Sequence, residues 1–175
     1  PSLMIEYDFL TRNCKKKELF KNIYKKRIEL KKAGKKKEQE PYKLVLNKTY
    51  GMCKDPFSKG YDPRQANNVC VNGQLLLLDL IEKLENHCEL IQSNTDGLII
   101  QIDEKDFDLI DDICYEWEKR TRMSLAFNFV SEIWQKDVNN YIIRLDSGKL
   151  KKKGLYVKEL TDLDYDLPII NEAIV

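Results

Sequence analysis

The sequence predicts an α+β fold, on three observations: helical patterning in four stretches, short strand-like apolar runs after residue 88, and polar turns joining those runs. Residues 15–33 read as a helix in which Leu19, Ile23 and Leu30 lie near one stripe, ended by Gly34. Lys-rich residues 34–38 make a short turn, and residues 40–52 form a second helix. Two helices joined so briefly run antiparallel, as a projecting hairpin. The Pro/Gly/Asp/Asn-rich stretch CKDPFSKGYDPRQANN, 53–68, reads mostly as loop. VCVNGQLLLLDLIEKLENH, 69–87, follows as a helix buried on much of its surface.

Residues 89–102 contain two apolar runs around the turn sequence NTDG, which predicts strand, turn and strand. Residues 106–121 space Phe107, Ile110, Ile113, Cys114 and Trp117 among acids, the pattern of an amphipathic helix with a solvated acidic face. LAFNFVSEIW and NNYIIRL read as further strands with a turn at Asp137–Asn139. The order helix, hairpin, helix, strands predicts helices packed on a small antiparallel sheet. The chain contains no internal repeat.

Its 175 residues fit one domain, or one domain with a projecting arm. No apolar run is long enough to span a bilayer, so no membrane partner is expected. Five scattered cysteines and a single histidine, with no CxxC pair, predict reduced thiols and argue against a Cys/His zinc site. The net charge of +1 hides an asymmetry: Lys15 to Glu40 holds twelve Lys/Arg against four Asp/Glu. A basic arm on a more acidic body points to an anionic partner that touches one region.

Within that arm Lys43, Asn47, Tyr50 and Lys54 fall at steps of four, three and four, on one helix face. Arg27 and Lys31, four apart, share a face of the first helix. Guanidinium and ammonium groups beside an amide and a ring suit a phosphate-binding wall that also meets a base or sugar. The plainer reading is a solvated lysine-rich hairpin whose Tyr50 only packs. Asp96 stands at the tip of the NTDG turn, where Asp, Asn and Gly are ordinary turn residues. As a site for Mg²⁺ it would need at least one more acid from elsewhere, two protein carboxylates and substrate phosphates then sufficing.

These residues carry a resemblance to family B DNA polymerases, closest to the phage type. KLVLNKTYG, Lys43 to Gly51, resembles the K-x3-N-S-x-Y-G motif of the fingers helix, and NTDG, Asn94 to Gly97, resembles the D-T-D-S hairpin of the palm. The opening PSLMIEY is similar to the tail of the first catalytic motif, D-x-x-S-L-Y-P-S. KLKKKGLY, Lys149 to Tyr156, is similar to the basic primer-contacting element, and LPIINEAIV resembles the connector towards a thumb. The motifs stand in the family's order along essentially the whole chain.

The resemblance implies a chain divided into 1–13 (palm, after the first motif), 14–54 (fingers hairpin), 55–160 (palm) and 161–175 (connector). It implies a nucleotidyltransferase that adds deoxynucleoside triphosphates to a primer 3′-OH by two-metal phosphoryl transfer. Asp96 then matches the acid that binds both Mg²⁺ ions, and Asn94 the secondary metal position, where the family has an acid. Lys43 matches the lysine on the triphosphate, with Arg27 and Lys31 as further phosphate contacts. Asn47 and Tyr50 match the lining of the base-pair pocket. Lys151, Lys153 and Tyr156 match the contacts to primer–template DNA.

Two departures are Lys48 and Gly97, each where the family has serine. Another metal-binding aspartate is expected upstream of residue 1, so this chain alone is expected not to extend primers. A phage or prophage gene expressed in bacterial cytoplasm is the implied setting. The alternative is a non-catalytic nucleic-acid-binding module that uses the basic hairpin as a phosphate platform.

Overall fold

The computed structural model describes residues 1–154 and divides the chain into two units. The first, Pro1–Glu89 with Ile102–Ser124, is helical; the second, Leu90–Gln101 with described residues 125–154, holds the strands. The architecture is α+β, but its strands form two small antiparallel sheets where the sequence led us to expect one.

The helical unit is built from α1 (Ser2–Glu6), α2 (Lys17–Lys32), α3 (Lys36–Lys54), α4 (Pro63–Leu84) and α5 (Phe107–Thr121). α2 and α3 form the expected hairpin, and its turn has a specific cause. Gly34 takes φ +71°, its N–H donates to the Lys31 carbonyl at 3.1 Å, and the Lys35 N–H donates to the Leu30 carbonyl at 3.0 Å. These two bonds satisfy carbonyls that the end of α2 would otherwise leave open. A Cβ at Gly34 would meet no atom within 4 Å, so the conformation and not space selects glycine. Gly34→Ala is therefore expected to cost about 1 kcal/mol of stability, measurable as a lower denaturant midpoint at unchanged m-value.

The stripe predicted on α2 is corrected in one place. Leu19 is exposed, and Phe20 is buried with Ile23 and Tyr24 packed beside it. The helix begins at Lys17, and the 20/23/24 spacing turns the larger ring towards the core. α3 starts about a turn earlier than expected, with Pro41 inside it. Proline suits the first helical position, so propensity places the start near residue 40. The structure instead accepts a missing N–H and adds a contact to α2, where Arg27 Nε donates to Gln39 Oε1 at 3.3 Å.

The core cluster of this unit is Met4, Leu10, Phe20, Leu46, Cys53 and Ala66. α4 also starts early, because Asp62 caps it, accepting from the Gln65 N–H, and Pro63 occupies the first turn. The expectation that α4 is buried on much of its surface is not met. Ala66, Leu80 and Leu84 are buried, while Val71, Leu75 and Leu78 are exposed. Successive helical residues diverge by about 100°, so the leucines at 75–78 cannot all face one layer. α5 buries Ile110, Cys114, Trp117 and Thr121, and the Trp117 indole N–H donates to the Leu76 carbonyl at 3.2 Å.

In the second unit β1 (Glu89–Ser93) and β2 (Leu98–Gln101) form the expected hairpin. β3 (Val130–Asp137), β4 (Asn140–Leu145) and β5 (Leu150–Lys153) form a meander in that order. β3 begins at Val130, not at Leu125. Asp137 opens the β3–β4 turn by accepting from the Asn139 N–H at 2.8 Å and from the Asn140 amide. Those bonds, the Asn140 amide foremost, hold the Asp137 carboxyl below its ordinary pKa. The expected connector, 161–175, lies outside the described residues.

Candidate nucleic-acid interface

On α3, Lys43, Asn47, Tyr50 and Lys54 fall in a sector of roughly 60° beside the line of Leu46 and Cys53. Leu46 and Cys53 are fully buried, so core packing fixes the rotation of α3 and with it the direction of this stripe. Lys43 and Asn47 are exposed, and the Lys43 ammonium stands 3.6 Å from Glu40 Oε1. Such an exposed pair is weak and leaves the ammonium exchangeable for a phosphate.

Tyr50 meets both readings of its role. Its ring packs against the core cluster while part of it stays accessible. Its hydroxyl lies 2.7 Å from the Cys70 sulfur on α4, and the Lys54 ammonium stands 4.9 Å over the ring centroid. Burial and the Cys70 hydrogen bond push the phenol above its ordinary pKa. Nothing in the spacing of α3 pointed to Cys70; its exposed position on α4 follows from the helix running from Pro63.

Arg27 is half-buried and tied to Gln39, four residues before Lys43, so Arg27 and Lys43 border the same wall. Lys31 is exposed one turn nearer the hairpin tip. Tyr50 and Lys54 lie towards the opposite end of α3, about 16 Å and about 22 Å along the axis from Gln39. The basic wall is thus a track and not a cluster. It suits an extended anion, or a nucleotide whose phosphates and base lie along the helix.

Asp96 is exposed in the β1–β2 turn. The turn closes through the Asn94 N–H donating to the Gly97 carbonyl at 3.0 Å. Asn94 Oδ1 accepts the Asp96 N–H at 3.3 Å, so that side chain holds the turn that presents the carboxylate. A Cβ on Gly97 would make only an ordinary contact with Asn94 Oδ1, at 3.9 Å, so a serine fits there equally well. Two residues earlier on β1, Gln92 is 4% exposed and neither end of its amide has a hydrogen-bond partner. That buried amide is a polar feature the strand pattern did not reveal.

Among the described residues no group of three or more His, Cys, Asp or Glu is placed to hold a metal ion. The donors at the turn are one carboxylate and one amide oxygen. Such a set fits a hard cation that arrives on triphosphate oxygens and keeps its waters, not an all-protein cage.

Lys151 and Lys153 alternate along β5, roughly 7 Å apart on one face, paired with Ile143 and Tyr141 of β4. Both are exposed, and the Lys153 ammonium stands 5.6 Å over the Tyr141 ring. On the other face Arg144 stacks over Trp134 at 5.2 Å and pairs with Glu132 at 2.7 Å. Tyr156 lies outside the described residues. Among the described residues no helix is long and apolar enough to cross a membrane. Compared with protein-family models and with curated proteins, the sequence matches none.

Proposed function

We propose that this chain is the palm-and-fingers portion of a family B, phage-type DNA-directed DNA polymerase. One observation carries the proposal: Lys43, Asn47, Tyr50 and Lys54 form a single stripe on α3, oriented by the buried Leu46 and Cys53. In this reading Lys43, with Arg27 and Lys31, offsets charge on the triphosphate tail. Asn47 and Tyr50 line the nascent base pair, the Cys70 contact fixing the direction of the Tyr50 side chain. Asp96 holds Mg²⁺ with the nucleotide's phosphates, and Lys151 and Lys153 grip primer–template DNA. Bound Mg²⁺ would supply a more acidic primer 3′-OH and compensation of charge on the departing pyrophosphate.

A second reading, a non-catalytic nucleic-acid-binding module that uses the basic hairpin as a phosphate platform, is favoured by the exposed Lys31 and Lys43 along that hairpin. Both readings need DNA contact, and the first needs it at β5. Binding of the purified chain to a labelled primer–template, titrated against salt, is the test. Lys151→Ala with Lys153→Ala is expected to weaken binding and flatten the log–log salt slope by about 2. An unchanged slope and affinity would remove β5 from the interface.

A further inference from the structure

The loop between α3 and α4 carries a ring that the roles above do not use. Phe57 is 97% exposed, the highest exposure among the large hydrophobic residues described. A single exposed apolar side chain is unremarkable on a mobile loop. This loop, however, is braced along its length. The Phe57 N–H donates to Asp55 Oδ1 and the Ser58 N–H to the Asp55 carbonyl, each at 3.0 Å. The Gly60 N–H donates to Ser58 Oγ, the Tyr61 N–H to the Ser58 carbonyl, and the Asp62 N–H to the Cys53 carbonyl. Gly60 is buried against Met52, and Pro56 restricts the backbone just before the ring. Phe57 is thus presented to solvent by a fixed turn.

The surroundings of that turn are cationic. Lys54, Lys59 and Arg64 are exposed around it in the chain. Of the acids of the segment, Asp62 is buried and paired with Arg12, while Asp55, exposed and accepting the Phe57 N–H, leaves the three cations in excess. The loop also continues the α3 stripe, which leads from Lys43 through Asn47 and Tyr50 to Lys54 along about 16 Å. A stacked strand advances about 3.4 Å per nucleotide, so the track accommodates four or five.

We infer that Phe57 is a base-stacking post for single-stranded nucleic acid, at the end of a phosphate-binding track along α3. A flat ring spaced among cations matches a strand that alternates phosphates with bases, and stacking on a ring tolerates any base. A lipid surface would call for contiguous apolar area, whereas the residues flanking Phe57 include Lys54, Asp55, Ser58 and Lys59. The inference rests on the second reading of the proposed function, the nucleic-acid-binding module, in which Lys43, Asn47 and Tyr50 meet a strand and not an incoming nucleotide.

The test compares the purified chain with Phe57→Ala on three probes. These are oligo(dT) of about 12 nucleotides, within the span of one single-strand site, an abasic oligomer of equal charge, and phosphatidylserine vesicles. Phe57→Ala should weaken oligo(dT) binding about ten-fold or more while leaving the salt slope unchanged. Abasic binding should not respond to the variant, and an unchanged thermal midpoint serves as the folding control. Phe57→Trp should keep the affinity and show fluorescence quenched by oligo(dT). Wild-type affinity of Phe57→Ala for oligo(dT), equal loss on the abasic oligomer, or a Phe57 dependence seen only with vesicles would each overturn the inference. If primer–template still binds through Lys151 and Lys153, only this inference has failed; if no DNA binds, the proposed function has failed as well.

Discussion

Asp62→Ala is expected to lower the unfolding free energy by about 2–4 kcal/mol. Asp62 is 3% exposed and spends both carboxylate oxygens on folding contacts. Oδ2 accepts from the Arg12 N–H and from Arg12 Nε, each at 2.9 Å, while Oδ1 meets Arg12 Nη2 at 2.8 Å and the Gln65 N–H at 3.4 Å. One side chain therefore caps α4 and pins the segment before α2 to it. Its removal leaves a helix terminus uncapped and a guanidinium without its partner. The Arg12 side chain is 61% exposed and regains water, which keeps the loss below that of a wholly buried pair. Asp62→Asn, which retains a capping oxygen, should lose less.

The pH dependence has a definite sign. The Arg12 hydrogen bonds hold the Asp62 carboxyl well below the usual carboxylate range. The stabilisation is therefore complete above the unfolded value, about pH 4, and is lost as pH falls below it towards the folded value. Thermal midpoints measured from neutral to acid pH should fall for the native sequence and fall less steeply for Asp62→Asn. Parallel curves would show that the pair contributes nothing.

How far the sequence anticipates this molecule depends on which signals are local. The Gly34 turn, the amphipathic α5 and the NTDG turn are written in neighbouring residues, and each forms where expected. The start of α4 is local as well: Asp62-Pro63 is a cap followed by proline, though within a Pro/Gly-rich stretch it also reads as loop. The division of strands into two sheets is not local, since it depends on pairings between distant segments. Nor is the choice of Phe20 over Leu19, since the core cluster that Phe20 joins is completed by residues far along the chain, Leu46, Cys53 and Ala66.

For the candidate site, the stripe of Lys43, Asn47, Tyr50 and Lys54 was readable because helical period alone creates it. The Tyr50–Cys70 contact joins residues twenty apart, and the braced presentation of Phe57 depends on loop hydrogen bonds. Neither leaves a periodic trace. Asn94 was read as a substituted metal position, and its amide oxygen in the structure caps the turn beneath Asp96.

The second large effect concerns that turn. In an extended chain of the kind the proposed function implies, one that carries the first acidic motif, Asp96→Asn is expected to reduce primer extension by about a thousand-fold or more. The substitution removes the only carboxylate of the NTDG turn while keeping its size, and the Asn94 cap accepts from the backbone N–H of residue 96, which the variant retains. The turn should therefore stay folded, and DNA affinity, which Lys151 and Lys153 supply in this account, should change little.

Magnesium-dependent extension of a labelled primer by that extended chain and its Asp96→Asn variant, with primer–template affinity recorded on the same samples, is the deciding measurement. The account predicts extension by the first, its loss in the variant, and nearly equal DNA binding by both. Extension that survives Asp96→Asn, or DNA binding by the extended chain with no extension at all, would contradict it.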